Sequence, residues 1–445
     1  MDGSETFLFG TQSINEAGHL TVGGCDTVEL AKEFGTPLYV LDEQYIRDTC
    51  RAYRNEFGSR LERVEVAYAG KALLCTAMCR IMQQEGMALD TASTGELFTA
   101  VSAGFPLNKV KLHGNFKTDE LLGMALKYQV GRIVADSITE LQRLSRIAVE
   151  MGKEADILIR VGPGIKTQTH SYIQTGQADS KFGLSIASGA AMEGIKLALE
   201  LPNINLHGLH CHIGSQLFGL DSFGRAVDMM MEFVAQVRAE TGWESDELDM
   251  GGGLGIAYTP EDAAPTVAEL AEIICPAITQ AAKQRSLKLP KLILEPGRSI
   301  VGPAGTTLYT VGPVKTIPGV RTYVSVDGGL SDNPRPALYE AEYTAVIANK
   351  ANQPATMAAR VAGAHCETDT LIPDTTLQPV EEGDIMAVFC TGAYNFAMAS
   401  NYNRFRRPAM VLVSDGQADI IYKRETLEDL VSHDVIPARL SGEGE

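Results

Sequence analysis

From residue 64 to 295 the apolar positions alternate between two textures. Short β-branched runs at 64–69, 88–90, 110–113, 132–135, 156–161, 206–212, 247–250 and 291–295 are separated by longer stretches at helical spacing. These include Leu73–Glu85, Gly95–Ala103, Asp119–Tyr128, Ile138–Met151, Ser222–Glu240 and Val267–Gln284. A continuous apolar strand followed by an amphipathic helix reads as a parallel sheet, because the crossover helix covers the strand it follows. Repeats of that unit over roughly 250 residues predict an α/β fold, a closed (β/α)8 TIM-type barrel. An open doubly wound sheet would begin its first helix on a glycine fingerprint, and none follows the first strand.

After Arg298 the helical period fades. The segments 306–311, 322–326, 343–349, 357–362, 385–389, 409–413 and 418–423 are short, β-rich and punctuated by Gly, Pro, Asn and Asp. That texture predicts a second, mostly antiparallel β domain. Residues 1–36 carry turn signals and one helical piece, Val28–Phe34. They are expected to join the β domain, since chain termini often lie near each other. The expected division is a barrel over 37–303 and a β-rich domain built from 1–36 and 304–445.

The chain has 445 residues, 45% hydrophobic and 21% charged, with 38 basic against 56 acidic side chains and a net charge of −18. This balance supports a large core and excludes a disordered or disulfide-stapled chain. The negative surface disfavours nucleic acid and anionic membranes as partners, and no apolar run is long enough to span a bilayer. The acidic start, Met1-Asp2-Gly3-Ser4-Glu5, lacks the basic-then-apolar order of a secretory signal. Eight cysteines without a CxxC pair are expected to stay reduced, so the expected compartment is the cytoplasm.

A barrel of this kind carries its chemistry at the carboxyl ends of the strands. The residues there are Lys71, Asp90, His113, Asp136, Arg160, His212, Gly251-Gly252-Gly253 and Glu295-Pro296-Gly297-Arg298. Glycine-rich loops after the seventh and eighth strands suit a phosphate, since bare backbone N–H groups can surround it. Gly253, Gly297, Arg298 and the Ser215 hydroxyl are the candidates, although a tight turn without a ligand would also account for Gly251–Gly255. Lys71 follows an apolar strand and is expected to be partly desolvated, which favours a nucleophilic amine; taken singly, a surface lysine is the commoner outcome. Glu295 supplies an acid. A lysine, a phosphate cradle and a carboxylate for a heterocyclic nitrogen are the three demands of pyridoxal phosphate. No metal site is expected.

The ordered motifs resemble the diaminopimelate decarboxylases, within the barrel-fold pyridoxal-phosphate decarboxylases of basic amino acids. The resemblance spans about 37–412. It rests on Tyr68–Ala72, His113-Gly114-Asn115, Asp179–Gly183, His210–Gln216, Gly251–Gly255, Glu295–Ser299, Asp327-Gly328-Gly329, Arg335–Tyr339, His365-Cys366-Glu367, Gly392-Ala393-Tyr394 and Met398–Asn403. It implies Lys71 as the covalent attachment point, His212 against the cofactor ring, Asp90 beneath it and Glu295 at the pyridine nitrogen. Ser215, Gly253, Pro296, Gly297, Arg298 and Tyr394 are the remaining implied cofactor contacts. Arg298, Arg335, Tyr339, Glu367 and Tyr394 would hold an amino-acid substrate with two carboxylates, and Cys366 would return a proton. Cys366 and Glu367 would enter from a second copy, making a homodimer the active unit.

The resemblance implies decarboxylation of meso-2,6-diaminopimelate to L-lysine and carbon dioxide, the last step of lysine biosynthesis. The alternatives are a decarboxylase of ornithine, lysine or arginine, a racemase (disfavoured by Glu295 where arginine would be expected) and a catalytically inactive cofactor-binding protein. Three positions depart from the family pattern: Gly70 where serine is usual, Thr368-Asp369-Thr370 after the cysteine motif, and Leu330–Pro334. The polar stretch 165–177 is expected to form a lid.

Overall fold

A computed structural model describes residues 7–164 and 181–440. The stretch expected to form a lid and the first two residues of the Asp179–Gly183 motif lie outside the described residues. The chain divides into two compact units, Gln44–Ala304 with Gly392–Ala397, and Met1–Glu43 with Gly305–Thr391 and Met398–Glu445.

In the first unit, eight parallel strands close a barrel: Val64–Ala69, Ala88–Thr91, Val110–Leu112, Arg132–Ala135, Ala155–Gly162, Ile204–His210, Glu247–Asp249 and Lys291–Leu294. Each pairs with the next, and Leu292 opposite Val64 brings the eighth strand back to the first. The middle of the strands is largely apolar, as strands enclosed by helices must be: Ala67, Tyr68, Leu89, Leu112, Ile157, Leu158 and Ile293 are fully buried. The helix Ile138–Met151 shows how the covering layer is specified. Ser137 caps its first turn by accepting from the Glu140 N–H, and Gly152 closes it in the left-handed conformation. Between these stops Leu141, Leu144, Ile147 and Ala148 are buried at spacings of three and four, one face of the helix. Two helices not anticipated from the pattern, Glu43–Gly58 and Ala190–Glu200, complete the set. Glu43–Gly58 is the more polar case, burying only Ile46, Cys50, Tyr53 and Phe57.

The second unit is a mostly antiparallel sheet around the long strand Gly305–Ile317, which pairs antiparallel with Leu38–Asp42, Arg321–Val326 and Ile385–Phe389. Two pairings are parallel, Arg321–Val326 with Met357–Ala362 and Leu38–Asp42 with Ala409–Ser414. The boundaries differ from the expected 37 and 303–304. Leu38–Asp42 lies in the β unit because it has sheet partners on both edges there, while Gly392–Ala397 joins the barrel unit. The amino-terminal residues form their own sheet of Ser13–Ile14, Leu20–Val22 and Cys25–Asp26. Thr370–Leu377 is a further strand; its Pro373, Asp374 and three threonines hid it from the apolar pattern.

Candidate active site

The strand ends of the barrel unit surround a cavity. Lys71, Asp90, His212, Ser215, Gly253, Glu295, Gly297, Arg298 and Tyr394 line it. Pro296 faces elsewhere: it borders a neighbouring apolar cavity with Tyr53 and Phe223, and its carbonyl accepts from the Ala69 N–H at 3.0 Å.

Lys71 sits on the single 3-10 turn Gly70–Ala72 that ends the first strand. It is exposed, not partly desolvated as the apolar run before it suggested. The turn lifts its side chain past the last buried strand residue, Ala69.

Arg298 is buried, and its guanidinium reaches across the site. Nη1 donates to the Tyr258 hydroxyl at 2.5 Å and Nη2 to Ser215 Oγ at 3.1 Å. Its Cζ lies 4.8 Å from the centre of the Tyr394 ring, a cation–π contact. Tyr394 adopts a positive φ of 64° and is tied by its N–H to the Ala72 carbonyl at 2.8 Å. Such a backbone in a non-glycine residue costs energy that the surroundings must offset. The loop after the seventh strand needs its glycines: a Cβ on Gly252 would lie 2.1 Å from the Glu295 carbonyl, and one on Gly253 2.3 Å from that of Gly214.

Beneath these groups lies a buried acidic cluster. Burial lifts the carboxyl of Asp90 well above its ordinary range, and the charge of Glu295 lifts it further; the same two causes, in the same order, raise Asp249. Glu295 goes the other way. Burial alone would raise it, but the imidazoles of His113 and His210 outweigh burial and hold it well below the carboxylate range. His210 Nε2 lies 3.1 Å from Glu295 Oε2 in a hydrogen bond. His113 Nε2 lies 2.7 Å from Oε1, too bent for a hydrogen bond and so an electrostatic contact. Burial in turn pushes His113 down to about 4 and lowers His210 and His212. Of the three acids Glu295 is therefore the one most readily ionised, while burial favours the neutral forms of Asp90 and Asp249.

These residues fit the expected cofactor. An ionised, buried carboxylate suits a protonated heterocyclic nitrogen, and a lysine amine stands free of the buried layer. At the other end Arg298 Nε has no hydrogen-bond partner among the described residues. Neither do the backbone N–H groups of Gly253 and Gly297. A cationic fork, a hydroxyl and unsatisfied N–H donors on one wall make a site for a phosphate.

Cys366, Glu367, Arg335 and Tyr339 belong to the β unit. Cys366 is the one exposed cysteine of eight. Its N–H donates to Asn403 Oδ1 at 3.0 Å, and the Tyr402 hydroxyl donates to Glu367 Oε1 at 2.6 Å. Asp369 closes this loop from below, with Oδ2 2.6 Å from His365 Nδ1 and Oδ1 accepting from the Leu330 N–H at 3.0 Å. Two of the three departures from the family pattern thus meet in one contact. Arg335 is buried, donates from Nε to the Tyr343 hydroxyl at 2.9 Å and lies 5.4 Å from the Tyr339 ring centre.

Sequence reasoning placed His113 at a strand end without giving it a role and passed over His210, Asp249 and Tyr258 as site residues. The available signal was the two-residue spacing of His210 and His212 at the end of an apolar strand, which sets two imidazoles near the rim. Its meaning depends on Glu295, 85 positions away.

Residues 43–302 match the family model described as "Pyridoxal-dependent decarboxylase, pyridoxal binding domain". The chain is 45% identical over 430 residues to the diaminopimelate decarboxylase of Bacillus subtilis (strain 168), covering 96% of this chain and 98% of that one. It superposes on the crystal structure of diaminopimelate decarboxylase from M. jannaschii in complex with L-lysine with a TM-score of 0.90 at 37% identity, covering 99% of this chain and 100% of that one. A lysine/ornithine decarboxylase from Vibrio vulnificus, complexed with putrescine, is more distant, with a TM-score of 0.73, 25% identity, and 87% and 98% of the two chains covered. On full-length identity and shared fold together, the chain belongs to the diaminopimelate decarboxylase family of pyridoxal-phosphate-dependent carboxy-lyases.

Proposed function

We infer that the enzyme converts meso-2,6-diaminopimelate to L-lysine and carbon dioxide, with pyridoxal phosphate held in the barrel cavity. The observation that carries this reading is the lining of one cavity by Lys71, Glu295, Arg298 and Ser215, which answers separately to the aldehyde, nitrogen and phosphate of one cofactor. Bound there, the cofactor supplies an electron-accepting ring for the pair released as carbon dioxide leaves.

Lys71 would hold the cofactor through its side-chain amine. Glu295 would keep the ring nitrogen protonated, and His212 and Asp90 would complete the pocket for the ring. Ser215, Gly253, Gly297, Arg298 and Tyr394 bind the phosphate, with Pro296 fixing the turn that presents Gly297. Arg298, Arg335, Tyr339, Glu367 and Tyr394 hold the substrate. Arg335 matches the second carboxylate of the substrate, and a monocarboxylate such as ornithine would leave that buried guanidinium without its anion. Cys366 returns a proton to the α-carbon. It and Glu367 are supplied by a second copy of the chain, so the active species is a homodimer, and its compartment is the cytoplasm. Among the described residues no helix is long and apolar enough to cross a membrane.

The test is carbon dioxide release from diaminopimelate, lysine, ornithine and arginine, with Lys71→Ala as control. Release from diaminopimelate alone, lost in Lys71→Ala, is expected. Turnover retained by Lys71→Ala ends the reading, and preferred release from ornithine replaces it with the neighbouring decarboxylase class.

A further inference from the structure

Asp90, Asp249 and Glu295 are buried near one another at the strand ends, and among the described residues only Glu295 has an imidazole nitrogen at each carboxylate oxygen. His113 follows the third barrel strand, His210 ends the sixth and Glu295 follows the eighth, so the two rings approach from different sides. Their Nε2 atoms lie 2.7 and 3.1 Å from Oε1 and Oε2, and the rings meet edge to face with centroids 4.9 Å apart. All three side chains are buried. Asp90 is next in line, 3.6 Å from His113 Nε2, and Asp249 adjoins Glu295 from the seventh strand. Among the described residues, Lys71, Arg160 and His212 also act on this patch, as do Asp136 on His210, Glu96 on Asp90 and Lys111 on Asp249.

Burial of three carboxyls so close together leaves room for about one negative charge, because like charges in a low dielectric repel strongly. Burial is common to all three and cannot decide which acid carries the charge. Donors can. A neutral imidazole with its proton on Nε2 stabilises only the carboxylate it faces: His210 bonds to Oε2, and the His113 ring nitrogen lies against Oε1, so both oxygens have an imidazole beside them. We propose that His113 and His210 are positioning residues that select Glu295, out of three buried acids, as the ionised one and aim it at the heterocyclic nitrogen of the cofactor. The proposal rests on the reading that pyridoxal phosphate occupies this cavity.

Cofactor affinity tests it without recourse to turnover. The purified enzyme is stripped of cofactor, then titrated with pyridoxal phosphate and with its 1-deaza analogue, which has a C–H in place of the ring nitrogen. The wild-type protein should prefer the natural cofactor by at least about tenfold, the worth of one charge-assisted hydrogen bond. That ratio should fall toward one in His113→Leu and His210→Leu. His210→Gln keeps a donor and should retain most of it, and Asp249→Asn, which replaces an acid that no imidazole faces among the described residues, should leave it within about twofold.

An unchanged ratio in folded leucine variants overturns the proposal, as does an Asp249→Asn variant that loses as much as the histidine variants. If the leucine variants do not fold, Glu295→Gln must lose the ratio while His210→Gln keeps it. His113, His210 and Glu295 also have the spacing of metal ligands, with donor atoms within 4.8 Å of one another. Cobalt(II) bound by the apoprotein and lost in His210→Gln would assign them to a cation and overturn the positioning role. Failure of the underlying reading looks different: no borohydride-trapped adduct on Lys71 in the wild-type protein.

Discussion

Arg298 shows how much one side chain can be asked to do. Its two terminal nitrogens are committed to Tyr258 and Ser215, the plane lies against Tyr394, and Nε is left without a partner among the described residues. A lysine at this position keeps the charge but not the fork, and its single ammonium cannot bridge Tyr258 and Ser215 while facing an anion. Arg298→Lys should therefore weaken pyridoxal phosphate binding by about 10- to 100-fold, the worth of one or two charge-assisted hydrogen bonds. Equilibrium dialysis of the apoprotein measures this, and an affinity within about twofold of wild type would remove Arg298 from the phosphate site. Lys71, Glu295 and the glycines could be read from the chain because each follows a strand whose end the pattern marks. His210 could not, since a histidine on an apolar strand looks the same whether it packs or holds a carboxylate. The exposure of Lys71 was misjudged for a related reason: the apolar run before it says nothing of the tight turn that follows.

At the scale of elements, the opposite ends of the barrel strands carry a second set of charges that sequence reasoning did not single out. Glu65 accepts from Lys111 and, at 2.8 Å, from Lys291. Lys291 also lies 3.5 Å from Glu247, which Arg132 grips with two nitrogens at 2.8 and 2.9 Å. These residues come from the first, third, fourth, seventh and eighth strands, so the network ties the barrel together at its base. Burial would raise the Glu65 carboxyl, but the two lysines outweigh it and hold the group at about 2 against an ordinary 4.5. A pKa lowered by folding stabilises the native state fully above the unfolded value and loses that contribution as pH falls toward the folded value. The contribution is of order 3 kcal/mol and should fade between about pH 4.5 and about 2. Urea midpoints measured across that range should fall more steeply for wild type than for Glu65→Gln. Parallel curves would mean that the lysines do not stabilise the ionised form. The strands themselves were legible because period and length agreed. Their charged base was not, because Lys111, Glu65 and Lys291 look like polar interruptions until the barrel closes.

For the whole molecule, the sequence pattern marked the change from barrel to β sheet but not where single segments go. Leu38–Asp42 reads as a buried strand in either unit; only its pairing with Gly305–Ile317 and Ala409–Ser414 decides. The proposed homodimer makes a sharper claim, that Lys71 and Cys366 of one working site come from different copies of the chain. Lys71→Ala and Cys366→Ala proteins should each be nearly inactive, and Cys366→Ala should lower kcat far more than it raises KM, because a proton donor acts after binding. Mixed and allowed to exchange subunits, the two variants should regain activity. Random pairing makes half the dimers mixed, and each mixed dimer has one site with both residues intact, so the ceiling is about a quarter of wild-type activity. A chain of charge −18 repels its own copy, so exchange has to be run at about 0.15 M salt or above, where the screening length is near 8 Å. If each site drew both residues from one chain, a mixed dimer would hold only broken sites and the mixture would stay inactive at every ratio. Activity that climbs to a maximum at equal proportions, with the oligomer confirmed by sedimentation, is the outcome that a shared site requires.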